Sequence, residues 1–168
     1  MGLTILAIIK MNIEDPRDEF TGPNQSDFAY RNNPEQFELD EKKYDELVDR
    51  YEDAQIKATI DRFNIGYIGF GNLRRELVQL IEFGYFTGNS IGEDYTLNYK
   101  DIEDAQDLKD FFLHSDCDGE LGTEQIEVLN KHMQQHSDAI LNSGEPRIIK
   151  FADFVQKSVE EQADWRFL

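Results

Sequence analysis

At 168 residues the chain is long enough to bury a substantial core within one domain. Its 39% hydrophobic and 12% aromatic content belongs to a folded chain and excludes a disordered one. With 35 acidic against 17 basic residues, the net charge of −18 repels nucleic acid and anionic membranes, so neither is an expected partner, whereas a basic protein surface or a cation is compatible with it.

The first element is Leu3-Thr4-Ile5-Leu6-Ala7-Ile8-Ile9. Its β-branched content reads as a strand, and because both faces are largely apolar the strand is expected in the middle of a sheet. It is too short to span a bilayer and no lysine or arginine precedes it, so it does not read as a signal segment. The single cysteine, Cys117, permits no internal disulfide, which fits a reducing, cytoplasmic setting. Residues 14–40, with Pro16, Gly22, Pro23 and Pro34, have the composition of an irregular acidic loop or insertion. Asp40 then caps a helix through Tyr51 or beyond, with Tyr44, Leu47, Val48, Tyr51, Gln55 and Ala58 on one face. Between 14 and 53 there are 14 acidic side chains against 5 basic ones, half of the whole net charge.

Phe63, Ile65 and Tyr67 alternate like a short strand and lead into Gly66-Tyr67-Ile68-Gly69-Phe70-Gly71-Asn72-Leu73-Arg74-Arg75. Asn72 reads as the cap of a helix whose Leu73, Leu77, Leu80 and Ile81 line one face. Glycines before a helix start free backbone N–H groups to meet an anion, Arg74 and Arg75 add fixed positive charge, and Tyr67 and Phe70 offer rings for stacking. Tyr67, Gly69, Phe70, Gly71, Arg74 and Arg75 are therefore candidate ligand residues. The spacing departs from the dinucleotide fingerprint at its third position. The plain alternative is a tight turn whose arginines neutralise nearby carboxylates.

Residues 84–100 read as a turn-rich connection. Asp101 or Asp104 begins a helix carrying Leu108, Phe111 and Phe112 into His114-Ser115-Asp116-Cys117-Asp118-Gly119-Glu120. With Gly119 at the sixth position of a calcium-binding loop, Asp116 and Asp118 fall at the third and fifth, and Glu120 offers its carbonyl at the seventh. Position one is His114 and position twelve is Gln125, where a calcium loop uses carboxylates. Residues 103–136 thus resemble a degenerate EF-hand, with Thr123 capping its second helix, and any divalent cation on Asp116, Asp118 and Glu120 is expected to bind weakly, near 10⁻³ M or beyond (an order-of-magnitude figure). The flanking aspartates disfavour a Cys117 thiolate. Ile126, Leu129, Met133 and Ile140 form an apolar stripe. His132 and His136 lie at its border, four residues apart, as a transition-metal pair or as partly buried core histidines. Residues 142–146 stop this helix, Arg147-Ile148-Ile149 reads as extended, a last helix runs over about 150–163, and Trp165, Phe167 and Leu168 dock on the core.

Read together, the Met-Gly-Leu strand, the glycine-aromatic segment at 66–75, the Phe-Leu-x-His-Ser-Asp-Cys-Asp-Gly-Glu segment at 112–120 and an aromatic-rich closing helix resemble a group of uncharacterised bacterial and phage proteins. The resemblance implies a shared fold and site but no reaction. The expectation is a single-domain α+β fold, with a small sheet containing the N-terminal strand packed against four or five helices. The favoured function is a non-enzymatic acidic binding protein that holds a phosphorylated small molecule or nucleotide between segments 66–75 and 114–120, with His114, Asp116 and Asp118 on the second wall. The first alternative is an acidic inhibitor or DNA mimic that blocks a basic partner surface through the carboxylates of 38–53. The second is a metal-assisted hydrolase using His114, Asp116 and Asp118. The charge alone generates one prediction: the protein does not retard duplex DNA in a gel shift at physiological ionic strength. A shift that survives about 150 mM salt would contradict it.

Overall fold

The first strand of the chain lies beside the last. The structure, a computed structural model, describes residues 3–11, 16–19, 22–24, 28–31, 33–88, 95–114 and 119–168. Its elements in chain order are β1 (Leu3–Ile8), α1 (Pro16–Glu19), α2 (Phe28–Arg31), α3 (Pro34–Ala58), β2 (Thr59–Ile65), α4 (Tyr67–Leu80), β3 (Gly84–Thr87), β4 (Thr96–Tyr99), α5 (Ala105–Phe112), β5 (Glu120–Leu121), α6 (Thr123–Gln135), α7 (Ser137–Asn142), α8 (Pro146–Glu160) and β6 (Asp164–Phe167). The fold is α+β. The chain divides into two compact units, Lys10–Thr59 and the pair of segments Met1–Ile9 and Ile60–Leu168.

In the larger unit the strands run in the order β2-β1-β6-β5. β1 and β6 are antiparallel, with Ile5 opposite Phe167 and Ala7 opposite Trp165, and β5 pairs antiparallel to the other side of β6. The apolar run at the start of the chain therefore occupies an inner strand, as its two apolar faces require. β6 was not legible as a strand, because four residues are too few to establish a period of two. Trp165 and Phe167 nevertheless point to one side, 0% and 1% exposed, while Asp164 and Arg166 point to the other. Helices α4 to α8 supply most of the remaining core, joined by Phe63 and Ile65 of β2, Phe86 of β3 and Leu97 of β4, and in it Trp165 meets the rings of Phe154 at 5.2 Å and Phe151 at 5.6 Å. Such rings dominate core energetics through the area they bury.

Two sharp helix ends aim the chain at its strands. α4 and α8 both close with a residue at φ 54°, Glu82 and Gln162. The amide two past each C-cap reaches back to the third-last helical carbonyl: Phe83 to Val78 at 3.0 Å and Ala163 to Ser158 at 2.9 Å. The first turn delivers the chain into the β3–β4 hairpin, where the sequence had suggested only a turn-rich connection. Gly84 is obligatory there, since a Cβ would lie 2.1 Å from the Asn98 carbonyl oxygen.

Other boundaries also move. α8 begins at Pro146, so Arg147, Ile148 and Ile149 are its first turn rather than an extended piece; proline at the first helical position needs no N–H. α3 likewise reaches back to Pro34, with Asn33 as cap accepting from the Gln36 amide at 3.3 Å. Within the smaller unit the less exposed positions of α3 recur at Phe37, Asp40, Tyr44, Val48, Tyr51, Gln55 and Ala58. Leu47, expected among them, is 50% exposed. Arg17 of α1 pairs with Glu52 at 3.4 Å and covers the Tyr51 ring. No helix among the described residues is long and apolar enough to cross a membrane.

The buried indole has one polar atom to satisfy. Trp165 Nε1 donates to Ser158 Oγ at 2.8 Å, and Ser158 Oγ donates to the Phe154 carbonyl at 2.8 Å. Ser158→Ala leaves that N–H unpaired in the core and is expected to lower unfolding free energy by about 1–3 kcal/mol. A denaturant titration with unchanged slope and midpoint would refute this.

Candidate functional site

α5, β5 and α6 form a helix, a loop and a second helix. Residues 115–118, and with them the candidates Asp116, Cys117 and Asp118, lie outside the described residues. Both ends of the loop are tied to the fold. Gly119 sits at φ +107°, a conformation that L side chains rarely adopt. Packed against it is the ring of His114, which stacks on Phe167 with centroids 4.0 Å apart. His114 Nε2 lies 3.2 Å from the Glu120 carbonyl oxygen. A carbonyl only accepts, so Nε2 is the donor in this contact. The seventh-position carbonyl of the calcium-loop frame is therefore already bonded to the side chain at position one.

β6 anchors the loop's exit. Phe167 N donates to the Gly119 carbonyl at 3.0 Å, and Arg166 holds the Glu120 carboxylate through Nε at 2.9 Å and through Nη2. Thr123 is not the cap expected of it. Gly122 takes that place, and Asp164 of β6 accepts from both the Thr123 amide and its hydroxyl at 2.8 Å, a cap supplied from elsewhere in the chain.

The glycine-arginine segment is a helix rather than a loop. α4 starts at Tyr67 with Gly66 as its cap, six residues before the cap expected at Asn72. Gly71 is thus inside the helix with its amide in the ladder, whereas Gly69 lies in the first turn, ahead of the first helical donor, Phe70 N to the Gly66 carbonyl at 2.8 Å. Tyr67 is 37% exposed at the helix start, but Phe70 is fully buried, edge-on to Phe111, and cannot stack on a ligand. Arg74 and Arg75 stand in mid-helix, away from the unfavourable end of the dipole. Arg74 is 5% exposed; its guanidinium lies 4.4 Å over the Phe70 ring and Nη1 donates to the His114 carbonyl at 2.8 Å. Arg75 turns elsewhere, to the Gly88 carbonyl at 2.7 Å and the Tyr95 ring. The two candidate segments do meet, through Arg74 and His114.

The adjoining cavity of about 370 Å³ opens between α5 and the β5–α6 turn. Gln106, Lys109, Asp110, Leu113 and His114 form one wall and Glu120, Leu121, Gly122 and Gln125 the other. Tyr67, Gly69, Phe70, Gly71, Arg74 and Arg75 are not in its lining, so the pocket is not the one expected between 66–75 and 114–120. Sequence reading missed Lys109, Gln106 and Asp110 because a lysine on an amphipathic helix carries no signal of what it faces.

The far ends of α5 and α6 are clamped by Asp104. Its Oδ2 accepts from Lys131 Nζ at 2.7 Å and from His132 Nε2 at 3.0 Å. His136 ends α6 and donates from Nδ1 to the His132 carbonyl at 2.9 Å. The two histidines serve different partners, and among the described residues no group of three or more side chains is arranged to hold a metal ion. Comparisons with protein-family models, with curated proteins and with solved structures find no match to this chain.

The hydrogen bonds from Lys131 and then His132 pull the Asp104 carboxyl below its ordinary value. A depressed carboxyl stabilises the fold above its unfolded-state pKa and loses that contribution as pH falls through the folded one. The clamp is accordingly present at neutral pH and fails in acid, below about pH 4. Melting curves of wild type and Asp104→Asn should differ most near neutrality and converge as the acid limb is descended; a constant offset down to the lowest pH would refute the clamp.

Proposed function

We propose that the protein is a non-enzymatic binding protein that takes a small phosphorylated molecule, such as a nucleotide, into the pocket between α5 and α6. One observation carries this. In a chain with twice as many acidic as basic residues, the half-buried Lys109 lines the pocket yet meets only an amide oxygen of Gln106 at 3.4 Å and the face of Tyr99 at 5.0 Å, with no carboxylate among the described residues in ion-pair range. The pocket's carboxylates among the described residues are otherwise engaged. Asp110 accepts from Gln106 Nε2 at 2.7 Å, and Glu120 is held by Arg166. An anionic group fits the lysine, with the His114 ring and the Gln125 amide as neighbouring polar partners. About 370 Å³ lies within the range of small-molecule sites. Two other pockets, of about 200 and 310 Å³, have no cationic side chain among the described residues of their lining.

This reading moves the anion contact from Arg74 and Arg75, both committed to backbone carbonyls, to Lys109. A thermal-shift screen of inorganic phosphate and nucleotides tests it. A compound present at about 100 times its dissociation constant stabilises the protein by about 2.7 kcal/mol. Lys109→Ala should weaken that compound about tenfold or more, the worth of a charge-assisted hydrogen bond, while melting normally without it. A wild type that no phosphorylated compound shifts would defeat the proposal.

A second reading has its own observation. Glu38, Glu41, Asp45, Asp49 and Glu52 are exposed at three- and four-residue intervals along α3, a continuous acidic row. Such a row suits a basic partner surface, as an inhibitor or DNA mimic would. Neutralising these five residues together should then abolish competition with DNA for a basic protein, and leave nucleotide-induced stabilisation unchanged.

A further inference from the structure

The α5–α6 pocket offers one positive charge and, on the same wall, one negative charge that no cation balances. We infer that it selects a phosphate ligand with a single negative charge, a phosphodiester in preference to a di- or triphosphate, and that the Asp110 carboxylate sets this limit, an inference that rests on reading the pocket as a phosphate site.

The supply of cations is settled by the chain itself. All 17 lysines and arginines lie among the described residues, and of these Lys109 alone lines the pocket. Lys109 and Asp110 are neighbours on α5, both half-buried, yet they do not neutralise each other. The neutral amide of Gln106 stands between them. Its Nε2 donates to Asp110 at 2.7 Å and its Oε1 accepts from Lys109 Nζ at 3.4 Å. A bond from an uncharged amide fixes the carboxylate in place and leaves its charge whole. Neither Lys109 nor Asp110 has a partner of opposite charge among the described residues. Glu120 across the pocket differs, because Arg166 holds it through Nε at 2.9 Å and through Nη2 and matches its charge.

The first negative charge of a ligand meets Lys109. Each further one has no cation left to meet and shares the cavity with Asp110, where like charges repel more strongly than they do in bulk water. The net charge of −18 adds a field of the same sign. Phosphate classes differ in this respect. A phosphodiester carries one negative charge at neutral pH, a phosphomonoester about 1.5 to 2, and a triphosphate more. Leu113, Leu121 and the Gln125 amide complete the lining without charge, surroundings that suit the neutral groups esterified to such a phosphate. Lys109 thus admits an anion, and Asp110 limits how much charge it brings.

Affinities for a charge series test the inference. Cyclic AMP, AMP and ATP, with their guanosine counterparts, are titrated at neutral pH into wild type and Asp110→Asn, in EDTA and in magnesium. In wild type the cyclic diester should bind tightest and the triphosphate weakest, at least about tenfold apart. Asp110→Asn keeps an acceptor for Gln106 and removes the charge, so it should narrow that ratio by about threefold or more. A carboxylate that only supports the helix would leave the ratio where it is. A triphosphate that binds wild type as tightly as the diester, with or without magnesium, overturns the inference and leaves the phosphate reading of the pocket standing, as does a ratio that Asp110→Asn fails to move. Should no member of the series bind wild type, the inference and that reading fall together. The wild-type order decides the matter by itself if Asp110→Asn does not fold.

Discussion

The antiparallel pairing of β1 with β6 is the constraint on which the rest of the larger unit depends. Leu168 and Thr4 exchange backbone hydrogen bonds of 2.9 and 3.0 Å just beyond the paired strands, and each residue of β6 then has a separate task. Trp165 and Phe167 enter the core, where burying a large apolar side chain contributes on the order of 2–3 kcal/mol. Asp164 caps α6, Arg166 holds Glu120, and the Phe167 amide fixes Gly119. Four residues thus connect the sheet, the aromatic core and the exit of the α5–α6 loop. Loss of the pairing would remove all three supports together.

The site shows how a strongly acidic chain deploys few cations. Arg166 and Arg74 are placed at the two ends of one loop, one on a carboxylate and the other on a carbonyl. Arg74 is buried over an aromatic ring, where its attraction to the loop is screened less than that of a surface charge. Lys109 differs from both in lining an open cavity. The distinction between a cation that holds the fold and one that lines an open cavity rests on these surroundings, since all three residues have the same formal charge.

His114 has a similar double character. At the first position of a calcium-loop frame it looks like a defect, because imidazole is a poor substitute for a carboxylate on a hard cation. In the folded protein its ring stacks on Phe167 and its N–H satisfies Glu120. The departure from the calcium pattern therefore has a structural consequence, in which a side-chain hydrogen bond closes the loop.

The sequence alone determined the class of fold, the inner position of the first strand, the helices flanking the acidic loop and the turn at Gly119. These follow from local rules: two apolar faces, helical periodicity, and a glycine where φ must be positive. It also brought out both segments that meet at Arg74 and His114. Only tertiary structure decided that α4 begins at Tyr67, since the glycines that look like a loop are tolerated once Phe70, Leu73 and Leu77 are buried. It alone decided that Phe70 is core, that residues 164–167 are a strand, and that Asp164 caps a helix 41 positions away. Strand pairing, cap donation across the chain and the direction in which a lysine points depend on contacts between residues far apart in sequence, and no local period records them.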